Sequence, residues 1–241
     1  MIDLHAHILP GIDDGALDLD EAVQMCRLAG EDGCQVVVAT PHQRHPHWWN
    51  CDPAELSTLS RALQDAAPKE PRILSGAEIR VDEGFLTALD AFSENGLLSL
   101  AGSRYLLVEF PRNGQGPRPE EIVHEICING WRPLVAHPEL LPWLAGDLGR
   151  LEHLVRLGAR LQLTAMSLTR GFGRRPFEAA KAMIDAGLAH VLASDMHGAE
   201  RRPPGLKKAF SVIAEQWDET LAWTLTRDNP QRVLADESIP T

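Results

Sequence analysis

The 241-residue chain lacks the cysteine pairing of a zinc ribbon or a redox motif. Its four cysteines, Cys26, Cys34, Cys51 and Cys127, show no C-x-x-C spacing. Cys26 and Cys127 fall among apolar positions of predicted helices and read as reduced, buried thiols. Basic charge is also in short supply. With 34 acidic against 23 basic residues, the formal net charge is -11, which argues against a non-specific grip on nucleic acid or anionic membrane. The N-terminus has neither a basic n-region nor an apolar h-region, and no run is long enough to span a bilayer. A cytoplasmic protein without direct membrane insertion is therefore expected. Repeats, low-complexity tracts and linkers are missing too, and a hydrophobic content of 44% suits one large domain over residues 1–241.

Short apolar runs alternate with longer amphipathic ones. The first stretch, Met1-Ile2-Asp3-Leu4-His5-Ala6-His7, alternates apolar and polar residues and breaks at Pro10-Gly11 into the acidic turn Asp13-Asp14. Asp18-Leu19-Asp20-Glu21 reads as a capping box opening a helix that stops near Gly33. Further strands are predicted at 35–40, 72–77, 105–108, 133–136, 160–163 and 191–194. Helices are predicted at 53–66, 83–93, 119–129, 147–157, 176–186, 206–217 and 219–226, with a last turn at 229–234.

Seven strands alternating with helices call for parallel pairing and right-handed crossovers. A doubly wound sheet and a barrel both satisfy that pattern. Ionisable residues end six of the seven strands, however, and a barrel gathers every strand's C-terminal end around one mouth. An open sheet would spread them along an edge. The expected fold is a single-domain α/β barrel.

The gathered set is His5, His7, Asp14, His42, Glu78, Glu109, His137, Asp195 and His197. Residues two apart on a strand share a face, so His5 and His7 can grip one ion. Mixed imidazole and carboxylate ligands suit manganese, iron or zinc. Nine candidates exceed the needs of one ion, which predicts two to three. Ions about 3.5–4 Å apart can activate water and stabilise attacking and leaving oxygens in phosphoester hydrolysis. Spacing alone does not separate Asp13 from Asp14. His45, His47, His124, His153 and His190 read as surface or packing histidines. Trp48-Trp49 either walls the mouth, where it would stack an aromatic substrate, or anchors a loop.

With these residues in place, the chain resembles the polymerase-and-histidinol-phosphatase (PHP) family of metal-dependent phosphoesterases. More closely, it resembles the bacterial manganese-dependent protein-tyrosine phosphatases of capsule and exopolysaccharide operons. The stretches MIDLHAHILPGIDDGA, VVVATPH, GAEIR, YLLVEFP, PLVAHPE and VLASDMH carry the likeness, in the family's order from Met1 to His197. It implies a distorted (β/α)7 TIM-like barrel and a trinuclear site. His5, His7, Glu78 and Asp195 would hold one ion, Glu78, Glu109 and His137 the second, and Asp14, His42 and His197 the third. Asp14 is thereby favoured over Asp13, and Arg201 or Arg202 would face the phosphate. The implied substrate is a phosphotyrosine-bearing protein, namely a bacterial tyrosine kinase of polysaccharide export.

The rival readings are a small-molecule phosphatase of the histidinol-phosphate type and a non-catalytic metal-binding regulator of the kinase. The chain departs from the family at Leu140, where relatives usually carry an arginine after His-Pro-Glu; leucine offers a phosphate no bidentate contact. Attack by a metal-activated hydroxide needs no cysteinyl-phosphate, and none of the four cysteines precedes an arginine-rich phosphate loop. Thiol alkylation of the metal-loaded protein is accordingly expected to leave phosphate release intact. Inactivation with the metals still bound would count against this chemistry.

Overall fold

Apolar, β-branched runs buried on both faces form the parallel strands of this chain, and amphipathic segments form the helices between them. The computed structural model describes residues 1–241. In chain order the elements begin with β1 (Ile2–Ala6), α1 (Leu19–Glu31), β2 (Val36–Ala39), β3 (His42–Gln43), α2 (Pro53–Ala66), β4 (Arg72–Ser75) and β5 (Glu78–Arg80). Next come α3 (Phe85–Asp90), β6 (Tyr105–Glu109), α4 (Pro119–Ile128), β7 (Arg132–Ala136), α5 (Leu148–Arg156) and β8 (Arg160–Thr164). The chain closes with α6 (Ala165–Leu168), α7 (Arg174–Asp185), β9 (Val191–Ala193), α8 (Leu206–Gln216), α9 (Glu219–Trp223) and α10 (Asn229–Leu234). No helix is long and apolar enough to cross a membrane.

The strands form two parallel sheets, ordered β1-β2-β4 and β3-β5-β6-β7-β8-β9. The seven predicted strands became nine because short additional strands, β3 and β5, follow those predicted at 35–40 and 72–77. β2 and β3 are separated by Thr40-Pro41, where proline has no N–H to give a ladder. β4 and β5 are separated by Gly76-Ala77. A Cβ on Gly76 would come within 2.9 Å of Val38 Cγ1, so this backbone runs close against β2.

β1 and β9 meet through one parallel bridge, Ala6 with Met196, rather than a ladder. The Asp195 N–H donates to His5 O (2.8 Å) and the His7 N–H to Met196 O (2.9 Å) on either side of it. Asp3 reinforces the seam, its Oδ1 accepting from the Ser194 N–H (3.0 Å) and the His5 N–H (3.3 Å). The architecture is a single α/β domain of parallel sheets, without a continuous hydrogen-bonded closure.

A large apolar cluster fills the space between strands and helices. A smaller one draws Ile2, Leu4, Val38, Tyr105, Leu107, Leu134, Ala136 and Val191 from the strands and adds Val233 and Ile239 from the C-terminal segment. That segment covers the starts of β6, β7 and β8. The Tyr105 hydroxyl donates to Glu237 O (2.8 Å) and accepts from the Ile239 N–H (2.9 Å). Arg104 and Arg132 pair with Asp236, and Arg160 donates to Ile239 O. The opposite, C-terminal strand ends are left free for a site.

Several helix limits differ from expectation. The helix predicted at 83–93 shrinks to Phe85–Asp90, whose N-cap is Gly84 without a side-chain cap. α7 starts at Arg174, two residues early. The segment at 219–226 divides into α9 and a π-helical turn at Thr224–Asp228. A short α6 follows β8 where none was expected, held by Glu139 Oε1, which accepts from the Thr164 N–H (2.8 Å) and the Ser167 hydroxyl (2.9 Å). Asp18 caps α1 as read, but the reciprocal half of the capping box is displaced by one residue. Asp18 accepts from the Glu21 N–H, and Glu21 accepts from the Leu17 N–H and, through its other oxygen, from the Ala199 N–H.

Tyr105→Phe removes both hydroxyl contacts to the C-terminal segment and is expected to cost about 1–3 kcal/mol by denaturant unfolding. An unchanged midpoint would show that the segment does not rely on them.

Candidate metal centre

His5, His7, Glu109, His137, Asp195 and His197 sit at or beyond the C-terminal ends of β1, β6, β7 and β9. His42 and Glu78 open the short β3 and β5, Asp14 lies in the turn after β1, and the fold brings all nine together. Four overlapping groups have ligand atoms mutually within 4.8 Å: His7, Asp14, His42 and His197; His5, His137 and Asp195; His5, His7 and Glu78; and His42, Glu78 and Glu109. Glu78, 1% exposed, is common to two of them. His137 Nε2 lies 2.8 Å from Glu78 Oε1, His42 Nδ1 2.9 Å from Oε2, His7 Nε2 3.4 Å from Oε2 and His5 Nε2 3.5 Å from Oε1. Asp14 Oδ1 stands 3.5 Å from Nε2 of both His42 and His197. Glu109 is shared with Arg80, whose Nη1 is 3.0 Å away.

The donor set fits divalent cations. Nδ1–H of His5 donates to Gln162 Oε1 (2.8 Å), that of His7 to Asp13 Oδ2 (2.9 Å) and that of His197 to Asp195 O (2.9 Å). Each bond fixes the tautomer and leaves an Nε2 lone pair directed at the cluster. Gln162 is itself oriented, because its Nε2 donates to Leu163 O (2.8 Å). Asp14 Oδ1, Glu78 Oε2, His42 Nδ1 and His137 Nδ1 are buried without a well-aligned hydrogen bond, His42 Nδ1 and Glu78 Oε2 being close but misdirected for one. Orphaned polar atoms at this density are costly unless a cation completes them.

Charge tells the same story. Burial opposes ionisation of Glu78, yet the charges of His5 and His42 and the hydrogen bond from His137 hold its carboxyl well below the usual range. Burial likewise opposes charge on His42, but Glu78 and Asp14 raise its pKa to about 11. Against the same burial, Asp13 raises His7 to about 9 and Glu78 raises His137 to about 9. The pocket draws positive charge strongly, and a divalent ion would displace those protons as it binds.

Backbone strain accompanies the site. His137 (φ 34°) and Asp195 (φ 53°) occupy the left-handed region at the ends of β7 and β9. Non-glycine residues there cost about 1–3 kcal/mol each and tend to cluster at functional sites. The Asp13-Asp14 turn folds onto β1 because position 15 is glycine; a Cβ there would lie 2.1 Å from His7 O.

Spacing did not distinguish the two aspartates and the family resemblance favoured Asp14; the structure gives them different places, with Asp14 among the clustered ligand atoms. Asp13 orients His7 and accepts from the Gly15 and His42 N–H groups, whereas Asp14 joins the ligand atoms. The two predicted phosphate-side arginines also part company. Arg202 lines the cavity, pairs with Asp195 and lies over the Phe172 ring. Arg201 turns away and donates to the carbonyls of Asp14, Gly15 and His197.

His45, expected to be a surface or packing residue, instead lines the cavity, with its ring stacked against His42 at 4.9 Å between centroids. The signal was absent because a histidine in a loop carries no periodicity. Trp48 walls the mouth, nearly parallel to His42 (9°, 5.4 Å), and Trp49 points to a neighbouring cavity. Gln162 and Asp3 were missed as well, each being one of the alternate polar positions of its strand with nothing local to single it out.

The cavity over the cluster holds about 430 Å³ and is lined in part by Trp48, Arg112, Leu140, Phe172 and Arg202. Fold and site together define an α/β protein with a candidate polynuclear metal centre. The chain belongs to the CpsB/CapC family of capsular polysaccharide synthesis, whose family model matches residues 1–235. It is 31% identical over 242 residues to the tyrosine-protein phosphatase YwqE of Bacillus subtilis (strain 168), covering 99% of this chain and 93% of that one. To the tyrosine-protein phosphatase CpsB of Streptococcus pneumoniae it is 28% identical over 246 residues, covering 99% and 100%. A crystal structure from work on YwqE and CpsB, described there as metal-dependent tyrosine phosphatases, superposes with a TM-score of 0.91 at 32% identity. That match covers 100% of this chain and 96% of the other.

Gln162→Leu is expected to weaken manganese affinity about 10–100-fold by freeing the His5 ring. Competition with a chelating dye measures it, and an unchanged affinity would remove Gln162 from any orienting role.

Proposed function

We propose that this chain is a metal-dependent protein-tyrosine phosphatase of capsule and exopolysaccharide synthesis. Its substrate in this reading is the phosphorylated tyrosine kinase of polysaccharide export, met in the cytoplasm. Four free cysteines suit that reducing compartment. The observation that carries the reading is the convergence of nine imidazole and carboxylate ligands beneath a cavity that also presents Arg202 and Trp48. The seven strand positions and the β1–β9 bridge support a distorted (β/α)7 barrel as the frame.

Two to three ions, with manganese our assignment, would be held by His5, His7, Glu78 and Asp195, by Glu78, Glu109 and His137, and by Asp14, His42 and His197. Bound there, they supply Lewis acidity toward phosphoryl oxygens and lower the pKa of water. The side chains do the rest. Asp13, Gln162 and the Asp195 carbonyl keep three Nε2 atoms aimed inward. Arg202, braced by Asp195 and Phe172, offers its guanidinium to the phosphate. Arg201 fixes the Asp14-Gly15 turn against the His197 loop and so acts as a positioning residue. The flat wall made by Trp48 on His42 is placed to stack the phenyl ring of the substrate. Leu140 lines the cavity without charge, so phosphate recognition rests on the arginines that remain.

Manganese-reconstituted protein is expected to release phosphate from a phosphotyrosyl peptide, and His5→Ala to reduce that release at least about a hundredfold. No release with ions demonstrably bound would transfer the assignment to a small-molecule phosphoester or to a non-catalytic regulator of the kinase.

A further inference from the structure

The cavity over the metal cluster does not end there. It runs into a larger trough of about 1020 Å³, and Arg112, Leu140, Phe172 and Pro176 belong to the lining of both. The trough walls are apolar along Pro142, Ala145, Leu148 and Ala179, and its charged rim is unusual for this protein. In a chain of net charge -11, three arginines, Arg112, Arg174 and Arg175, stand along it.

Arg112 and Arg175 have no ion-pair partner, and Arg174 reaches only Glu178 at 3.6 Å, both side chains being exposed. Helix stability does not account for the placement of Arg174 and Arg175. They sit in the first turn of α7, which has no side-chain cap and no acidic residue, and the helix dipole disfavours cations there. The other carboxylate of the trough, Glu139, is 3% exposed, with Oε1 engaged by Thr164 and Ser167. Its Oε2 is buried without a partner, so Glu139 does not neutralise the arginines at the trough surface.

The cavity on the other side of the mouth differs. Arg44 there is paired with Asp82 at 2.6 Å and Arg80 with Glu109 at 3.0 Å, so its charge is already satisfied.

We propose that the trough bordered by Arg112, Arg174 and Arg175 binds an acidic segment flanking the phosphotyrosine of the protein substrate. The inference rests on the phosphatase reading of the adjoining cavity. With the phosphate over the metal cluster, a chain leaving past Leu140 and Phe172 enters the trough directly. Its Asp or Glu side chains meet the unpaired Arg112 and Arg175 and the exposed Arg174, and its aliphatic stems lie on the apolar floor. A small phosphoester would use none of this surface, so the trough gives the enzyme its preference for a protein.

The test uses metal-loaded full-length protein and three phosphotyrosyl peptides alike except for flanks of Asp/Glu, Ser/Ala or Lys. The acidic peptide is expected to exceed the neutral one in kcat/KM by about tenfold, the scale of a few exposed ion pairs, with the lysine peptide lowest. In Arg174→Glu/Arg175→Glu the ratio of acidic to neutral should fall to one or below, and Arg174→Gln/Arg175→Gln should fall between. A wild-type ratio near one, or a ratio kept in the charge-reversed protein, overturns the proposal. Phosphate release from free phosphotyrosine tests the phosphatase reading separately. Should that fail, fluorescence anisotropy of the same three peptides on wild-type and charge-reversed protein still decides the trough: ranked binding lost on reversal supports it, and equal binding overturns it.

Discussion

A carboxylate buried to 1% exposure, Glu78, is the constraint around which the rest of this structure is arranged. An isolated charge in such a place would be prohibitively costly, so positive charge must be brought to it. Four imidazoles, on His5, His7, His42 and His137, approach it within 3.5 Å, from three other strand ends. The strands on which they ride must therefore lie side by side with their C-terminal ends together. The site and the sheet order are two views of one requirement.

The cost of that gathering is visible in the backbone. β1 carries a register irregularity between Asp3 and Ala6, and His137 and Asp195 adopt positive φ. β2–β3 and β4–β5 break just before His42 and Glu78. Each departure from regular strand geometry turns a ligand toward the centre. At the opposite ends of the strands the C-terminal segment stabilises the frame through Tyr105, Arg104, Arg132 and Arg160. Stability and chemistry occupy opposite faces, as in parallel α/β barrels generally.

The strand runs, the helix cap at Asp18 and the nine clustered candidate ligands were legible because each follows from local chemistry: apolar periodicity, a capping oxygen, a histidine or carboxylate closing a buried run. Gln162 was not, since one amide inside β8 reads as an ordinary polar position until it is seen 2.8 Å from His5 Nδ1. His45 sat in a loop without pattern. The fate of Arg201 and Arg202 was equally hidden; adjacent in sequence, they point to different partners, one to backbone carbonyls and one to Asp195.

By itself the sequence determined the class of fold, the parallel alternation and the set of candidate ligand side chains that the fold brings together, because these depend on short-range pattern and on residue type. Tertiary structure alone decided that Asp13, beside the clustered Asp14, orients the His7 ring. It also decided that Trp48 walls the cavity, and that Arg112 shares a trough with Arg174 and Arg175, some sixty residues away along the chain. Such relations depend on distances between segments remote in sequence. Those distances are set by strand register and helix packing, which no local pattern encodes.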